Sequence, residues 1–150
     1  MRPWSESVVA DGVLEVKRYM AATPDEIFAF LTDAARYTKW MGRAAELDPR
    51  PGGIYRVEMS EDVVALGEYV EVVPPARIVF TWGWVGSTDV PPGSTTVEIA
   101  LEAADGGTSL HLRHSGLPDE AANVLHREGW EMYLGRLAML AEGGTPPPAG

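Results

Sequence analysis

The last long apolar run, Asp119 to Glu142, constrains this chain more than any other stretch. With Trp130 at zero and about 100° per residue, Ala122, His126, Trp130, Tyr133, Leu134, Leu137, Leu140 and Ala141 share one arc of about 120°. Glu128, Glu131, Arg136 and Met139 fall opposite. This pattern predicts an amphipathic helix of about six turns. Pro118 suits a first-turn position, and Asp119 and Glu120 complement the positive end of the helix dipole. Gly143 and Gly144 end the helix. Almost everything upstream reads as short strands, and a sheet needs its apolar face covered. This helix is the only element large enough to do it. Gly129 sits mid-helix beside Trp130, where glycine costs about 1 kcal/mol relative to alanine. Either helix and sheet pack closely there, or the missing side chain leaves a hollow.

Residues 1–11 read as a loose arm. Val13 to Met20 is a strand, with Leu14, Val16 and Met20 on one parity. Thr23-Pro24-Asp25-Glu26 is a capping box that opens a helix with Ile27, Phe30 and Leu31 as its stripe. Asp33 caps a second short helical turn ending near Trp40. After the turn residues Asp48 to Gly53, five strands follow at hairpin spacing: Ile54 to Met59, Val64 to Val73, Arg77 to Val85, Ser94 to Ala103 and Thr108 to His114. Asp105-Gly106-Gly107 joins the last two. The tail, 143–150, is rich in Pro and Gly and reads as loose. The order β-α-α-β-β-β-β-β-α predicts one α+β domain over residues 1–150, with a core at about 13–142. Its curved antiparallel sheet has about six strands wrapped around the C-terminal helix, and the first strand pairs at an edge.

A chain of 150 residues fits one domain. It has no cysteine, which excludes disulfides, thiolate zinc sites and a Cys nucleophile, and fits a reducing cytoplasm. No run approaches 18 apolar residues, and the N-terminal stretch has no apolar signal core. A cytoplasmic location is the expectation. The net charge of −10 argues against a nucleic-acid or anionic-membrane partner.

Six aromatic residues, Trp40, Phe80, Trp82, Trp84, Trp130 and Tyr133, serve either as core or as the walls of an apolar pocket. On a strand, His111 and His114 point to opposite faces, His114 inward with Leu110 and Leu112. His126 lies on the buried arc of the long helix, so His114 and His126 approach each other inside. A two-His metal site would still want a carboxylate, and no bound metal is expected. The inward candidate by parity with Leu66, Val70 and Val72 is Glu68. Buried, it would have a raised pKa and be the best general acid or base in the chain. With the parity slipped by one it faces outward, within reach of Arg77 or Arg113. No Gly-x-Ser-x-Gly motif, phosphate loop or dinucleotide fingerprint is present. The segment from Val85 to Gly93 is either a solvated connection or a lid.

The stretches YTKWMG (Tyr37 to Gly42), DPRPGGIYRVEM (Asp48 to Met59), GEYVEVVPPARIVFTWGW (Gly67 to Trp84), GTSLHLRHSGLP (Gly107 to Pro118) and HREGWEMYLGRL (His126 to Leu137) carry a family resemblance. In that order they resemble the START-like (SRPBCC) superfamily with its helix-grip fold, and within it the activator of Hsp-90 ATPase homologue (AHSA/CalC-like) family. The resemblance implies a pocket for an apolar small molecule between the long helix and the sheet. The scaffold also hosts cyclases, hydrolases and chaperone partners. Three readings follow. The first is a binder of an apolar or aromatic metabolite, lined by Trp40, Glu68, Phe80, Trp82, Trp84, His114, His126, Trp130 and Tyr133. The second is a cyclase, dehydratase or hydrolase acting on a polyketide-like or aromatic compound in the same cavity, with Glu68, His114 or His126 moving protons. The third is a chaperone cofactor or other protein-interaction module. No cofactor is expected under any of them, and a homodimer stays open.

Overall fold

Thr23, Asp33 and Asp119 start the three helices as their side chains require. The Thr23 hydroxyl caps the helix by accepting from the Glu26 amide, and it donates in turn to the Glu26 carboxylate. Asp33 accepts from the Ala35 amide and Asp119 from the Ala122 amide. In the computed structural model, which describes residues 5–144, the order is β1 (Ser5–Ala10), β2 (Val13–Met20), α1 (Pro24–Thr32), α2 (Ala34–Tyr37), β3 (Ala44–Leu47), β4 (Ile54–Glu58), β5 (Val64–Val73), β6 (Arg77–Trp82), β7 (Thr95–Ala104), β8 (Gly107–Ser115) and α3 (Glu120–Ala141).

The strands form one open antiparallel sheet in the order β1-β2-β8-β7-β6-β5-β4-β3. It curves around α3, which packs most closely against β2. This is the α+β helix-grip arrangement, with eight strands among the described residues rather than six. Alternation sends Leu14, Val16, Val97, Ile99, Leu110 and Leu112 inward, and all are buried against α3 and α1. Two polar contacts pin the helix at its far end. The Arg136 Nε donates to the Trp40 carbonyl at 3.1 Å, and the Ala21 amide donates to the Glu142 carboxylate at 2.9 Å.

Four expectations need correction. Residues 5–10 are not a loose arm. Asp11 and Gly12, with φ of +55° and +76°, make a tight turn that folds Ser5–Ala10 back onto β2. Backbone pairing holds this strand, and its polar residues gave no apolar alternation to read. Residues 1–4 and 145–150 lie outside the described residues. The strand Val13–Met20 is therefore not an edge strand, since β1 flanks it on one side and β8 on the other. Residues 44–47, where no strand was expected, form the short strand β3, which makes the opposite edge and pairs with β4.

The fourth correction concerns Glu68. A bulge between Tyr69 and Glu71 shifts the register of β5 against β6. Before the bulge the inward parity belongs to Ala65 and Tyr69; after it, Val72 turns inward. Counting parity back from Val72 across the bulge therefore puts Glu68 on the wrong face. Glu68 is exposed on the outer face. Arg77 does not pair with it either, being held by Glu71 and Glu98.

Candidate functional site

On α3, His126, Gly129, Trp130 and Tyr133 follow at i, i+3, i+4 and i+7, which stacks them on one stripe. Trp82 ends β6, and Trp84 follows it in an isolated antiparallel bridge to Ala65, just before the turn. Met41 comes from the segment after α2, and Met59 from the end of β4. These eight residues line a cleft of about 50 Å³ between the helix and the sheet. A methyl group at Gly129 would meet nothing within 4 Å, so the glycine does not serve close helix–sheet packing. It leaves a hollow.

Behind the hollow lies a hydrogen-bonded chain. The Trp130 indole N–H donates to Nδ1 of His114 at 3.1 Å. His114 Nε2 lies 2.8 Å from the Thr95 hydroxyl, which itself donates to the Trp82 carbonyl at 2.7 Å. The hydroxyl proton is thus committed, and the Thr95 oxygen must accept from His114 Nε2–H. His114 is a neutral Nε2–H tautomer, 0% exposed. His126 is the opposite case. Its Nδ1 lies 2.9 Å from the Ala122 carbonyl and must carry the proton, while Nε2 accepts from the Trp84 indole N–H at 3.1 Å. The two rings sit edge to face, 5.3 Å between centroids.

Both imidazoles are held neutral. Burial, and secondarily the neighbouring His126, push the His114 pKa down to about 3. Burial also lowers that of His126, against the opposing pull of the Ala122 carbonyl. All four ring nitrogens are engaged. Among the described residues, no three His, Asp or Glu side chains gather in a metal-binding group.

Of the nine residues read as pocket lining, Trp82, Trp84, His126, Trp130 and Tyr133 come together at the cleft. His114 stands behind Trp130, sealed from the cleft. Trp40 and Phe80 lie in the core away from it. The Trp40 indole donates to the Phe30 carbonyl at 3.0 Å, and Phe80 stacks on Tyr55 with centroids 4.0 Å apart. Glu68 is on the other side of the sheet. Sequence reasoning missed Met41, Met59 and Thr95. Thr95 was accessible by parity with Val97 and Ile99, and Met59 by parity with Tyr55 and Val57. Met41 lies in an irregular segment with no periodicity to read. The segment after Trp84 is a folded turn. The Trp84 amide donates to the Val90 carbonyl at 2.7 Å, and the Val90 amide donates to the Ser87 hydroxyl at 3.0 Å.

The model of the family "Activator of Hsp90 ATPase homolog 1-like protein" matches residues 21–142. This chain belongs to that family. An AHSA1-like protein of Rhizobium etli, solved in solution, is 45% identical, with a TM-score of 0.74 over 95% of this chain and 87% of that one. DynU16, a protein of the dynemicin biosynthetic locus, is 26% identical, with a TM-score of 0.80 over 91% of this chain but 49% of that one. PFC0360w, an HSP90 activator of Plasmodium falciparum, is 24% identical, with a TM-score of 0.71 over 85% of this chain and 94% of that one, a likeness of fold alone. No curated protein matches this AHSA1-like chain. Among the described residues, no helix is long and apolar enough to cross a membrane.

Proposed function

We propose that this AHSA1-like chain binds a small apolar or aromatic molecule, without a cofactor, at the cleft between α3 and the sheet, and does so in the cytoplasm. The observation that carries the reading is the hollow at Gly129, framed by Trp82, Trp84, Trp130 and Tyr133. The cleft is small as it stands. At about 50 Å³ it holds little more than a water or two, whereas ligand sites span about 300–1,000 Å³. Binding therefore requires the half-buried wall, Trp84 and Tyr133, to move aside. DynU16, of a biosynthetic locus, is in keeping with a small-molecule role. The acidic charge of the chain disfavours nucleic acid and anionic membranes as partners. The enzymatic reading is weakened, because Glu68 faces away and both nitrogens of His114 are committed.

A protein-interaction reading draws on one feature. Leu125, Met132 and Met139 recur every seven residues along α3 and are 67%, 48% and 42% exposed. A thermal-shift screen of planar aromatic and isoprenoid compounds separates the two readings. A ligand at 100 times its Kd stabilises the fold by about 2.7 kcal/mol, or roughly 5–10 °C in Tm for a chain of this size. Hits of that order support the cleft. A broad screen without a hit shifts the weight to the exposed stripe, and with it to a partner protein or a homodimer.

A further inference from the structure

Two imidazoles meet beside the cleft, and only one can present a lone pair to a visitor. His114 donates to Thr95 and accepts from Trp130, all of them buried. His126 has its proton fixed on Nδ1 by the Ala122 carbonyl, one turn back on the same helix. Turning the ring to aim an N–H at the cleft would break that bond and set the Nδ1 lone pair against the carbonyl oxygen. Nε2 is therefore an acceptor by construction.

The group that now occupies Nε2 is the Trp84 indole, the least enclosed tryptophan of the cleft. Trp84 is half-buried, while Trp82 and Trp130 are 2% and 3% exposed. Its backbone is fixed on both sides. Its amide donates to the Val90 carbonyl, and its own carbonyl accepts from the Ser87 amide at 3.1 Å. The freedom left to Trp84 is rotation of the side chain. A ring-sized molecule cannot fit in about 50 Å³, so the indole must swing out as the molecule enters. Once turned out, its N–H is satisfied by water. Nε2 is then uncovered inside an apolar wall of Met41, Met59 and Trp130.

A ligand without a donor leaves that lone pair unpaired, and an unsatisfied buried acceptor is penalised more heavily than a made hydrogen bond is rewarded. An anionic ligand is worse, because it sets a second lone pair against the first. A neutral hydroxyl on an aromatic ring restores what the indole supplied, through a shorter O–H···N bond. From this we infer that the cleft selects uncharged phenolic or enolic aromatics, the hydroxyl donating to His126 Nε2 and Trp84 serving as the displaceable latch. The inference rests on the cleft being the binding site.

The test is a matched pair, 2-naphthol and 2-methoxynaphthalene, titrated into the full chain by calorimetry and by tryptophan fluorescence. One hydrogen bond more in the complex predicts about tenfold tighter binding of the naphthol. In His126→Phe, which keeps an aromatic ring but removes both the acceptor and the latch bond, the preference for the naphthol should vanish, and the ether should bind tighter than it binds wild type because it no longer strands a lone pair. In Trp84→Phe, which removes the latch bond, both compounds should bind tighter, with the preference kept. Should His126→Phe fail to fold, ¹⁵N spectra of the wild-type imidazoles decide instead: naphthol should shift Nε2 of His126 and leave its Nδ1 in place. Equal affinity of the two compounds for the wild type overturns the hydroxyl rule and leaves the cleft standing. No binding of either compound to wild type or to Trp84→Phe overturns both.

Discussion

Two aromatic neighbourhoods lie side by side in this protein and differ in one respect. Around Tyr55, rings fill the space. Phe80 stacks on it, Tyr37 and Tyr69 meet it edge-on at 5.9 and 6.0 Å, and the Tyr37 and Tyr55 hydroxyls share a hydrogen bond. Burial pushes both hydroxyl pKa values far up, so the pair stays neutral and acts as packing. Around Gly129 the rings also touch, Trp82 meeting Trp84 and Trp130 at 5.0 and 5.2 Å, but they border an open cleft, and their polar tips are bonded through His114 and His126. Both places are rich in aromatic rings, Tyr and Phe in the first and mainly Trp in the second. The second has a helix position without a side chain and a boundary that solvent reaches. Aromatic density therefore does not announce a site; a gap within it, rimmed by committed polar atoms, does.

The largest expected effect tests the filled side. Phe80→Ala should cost about 3–5 kcal/mol in denaturant unfolding through lost contacts and a new cavity. Ligand response in the surviving folded fraction should be unchanged. A cost below about 1 kcal/mol would mean that the Tyr55 cluster is as loose as the cleft, and the contrast would vanish.

Acid comes next and tests the bonded chain. His114 has its ordinary pKa near 6.5 when unfolded and about 3 when folded. In that interval the unfolded chain takes up a proton that the folded chain refuses, so stability is complete above about pH 6.5 and drains as pH falls. The slope from this one group is about 1.4 kcal/mol per pH unit. His126, shifted in the same direction, adds to it. Unfolding titrations from pH 7 to 4.5 on wild type and His114→Gln should give a shallower slope in the variant, since carboxylate contributions are shared. Parallel slopes would show that His114 is not shielded from protons.

Gly129→Ala acts on the hollow itself. The added methyl meets no atom and the helix gains propensity, so stability should rise by up to about 1 kcal/mol. Ligand affinity should fall. A destabilised variant would place unseen packing against Gly129. The smallest effect belongs to Glu68→Gln. On the exposed outer face it should stay within about ±0.5 kcal/mol and leave ligand binding alone. A change in affinity would bring that carboxylate back to the cleft.

The helices were readable because their signals are local. The capping box at Thr23, the Asp119 cap and the apolar arc through Trp130 each sit within one or two turns of chain. The meander from β4 to β8 was readable from alternation and from Asp105-Gly106. Three features were hidden for separate reasons. The strand β1 buries little, so it carries no apolar pattern. Glu68 was misplaced because a bulge breaks period-two counting without any mark in composition. The site itself depends on pairs such as Trp84 with His126 and Trp130 with His114, whose members lie on different elements; residue types could nominate them but could not say which nitrogen faces which. Gly129, flagged by its poor helix propensity, was the best sequence clue to the hollow.

The neighbours of β2 have a consequence for how the chain is made. Val13–Met20 is flanked by β1 and by β8, with Met20 opposite Thr108 and Val13 opposite Ser115. Its hairpin partner leaves the ribosome beside it, but the other partner emerges some ninety residues later. At about 5–20 residues per second that is a wait of roughly 5–20 s. Throughout it, Leu14, Val16 and Met20 have neither the neighbouring strand nor the covering helix, and the ladder edge that β8 will occupy is open. A nascent chain of this topology carries a sticky, half-finished sheet for most of its synthesis, and its last quarter closes everything at once.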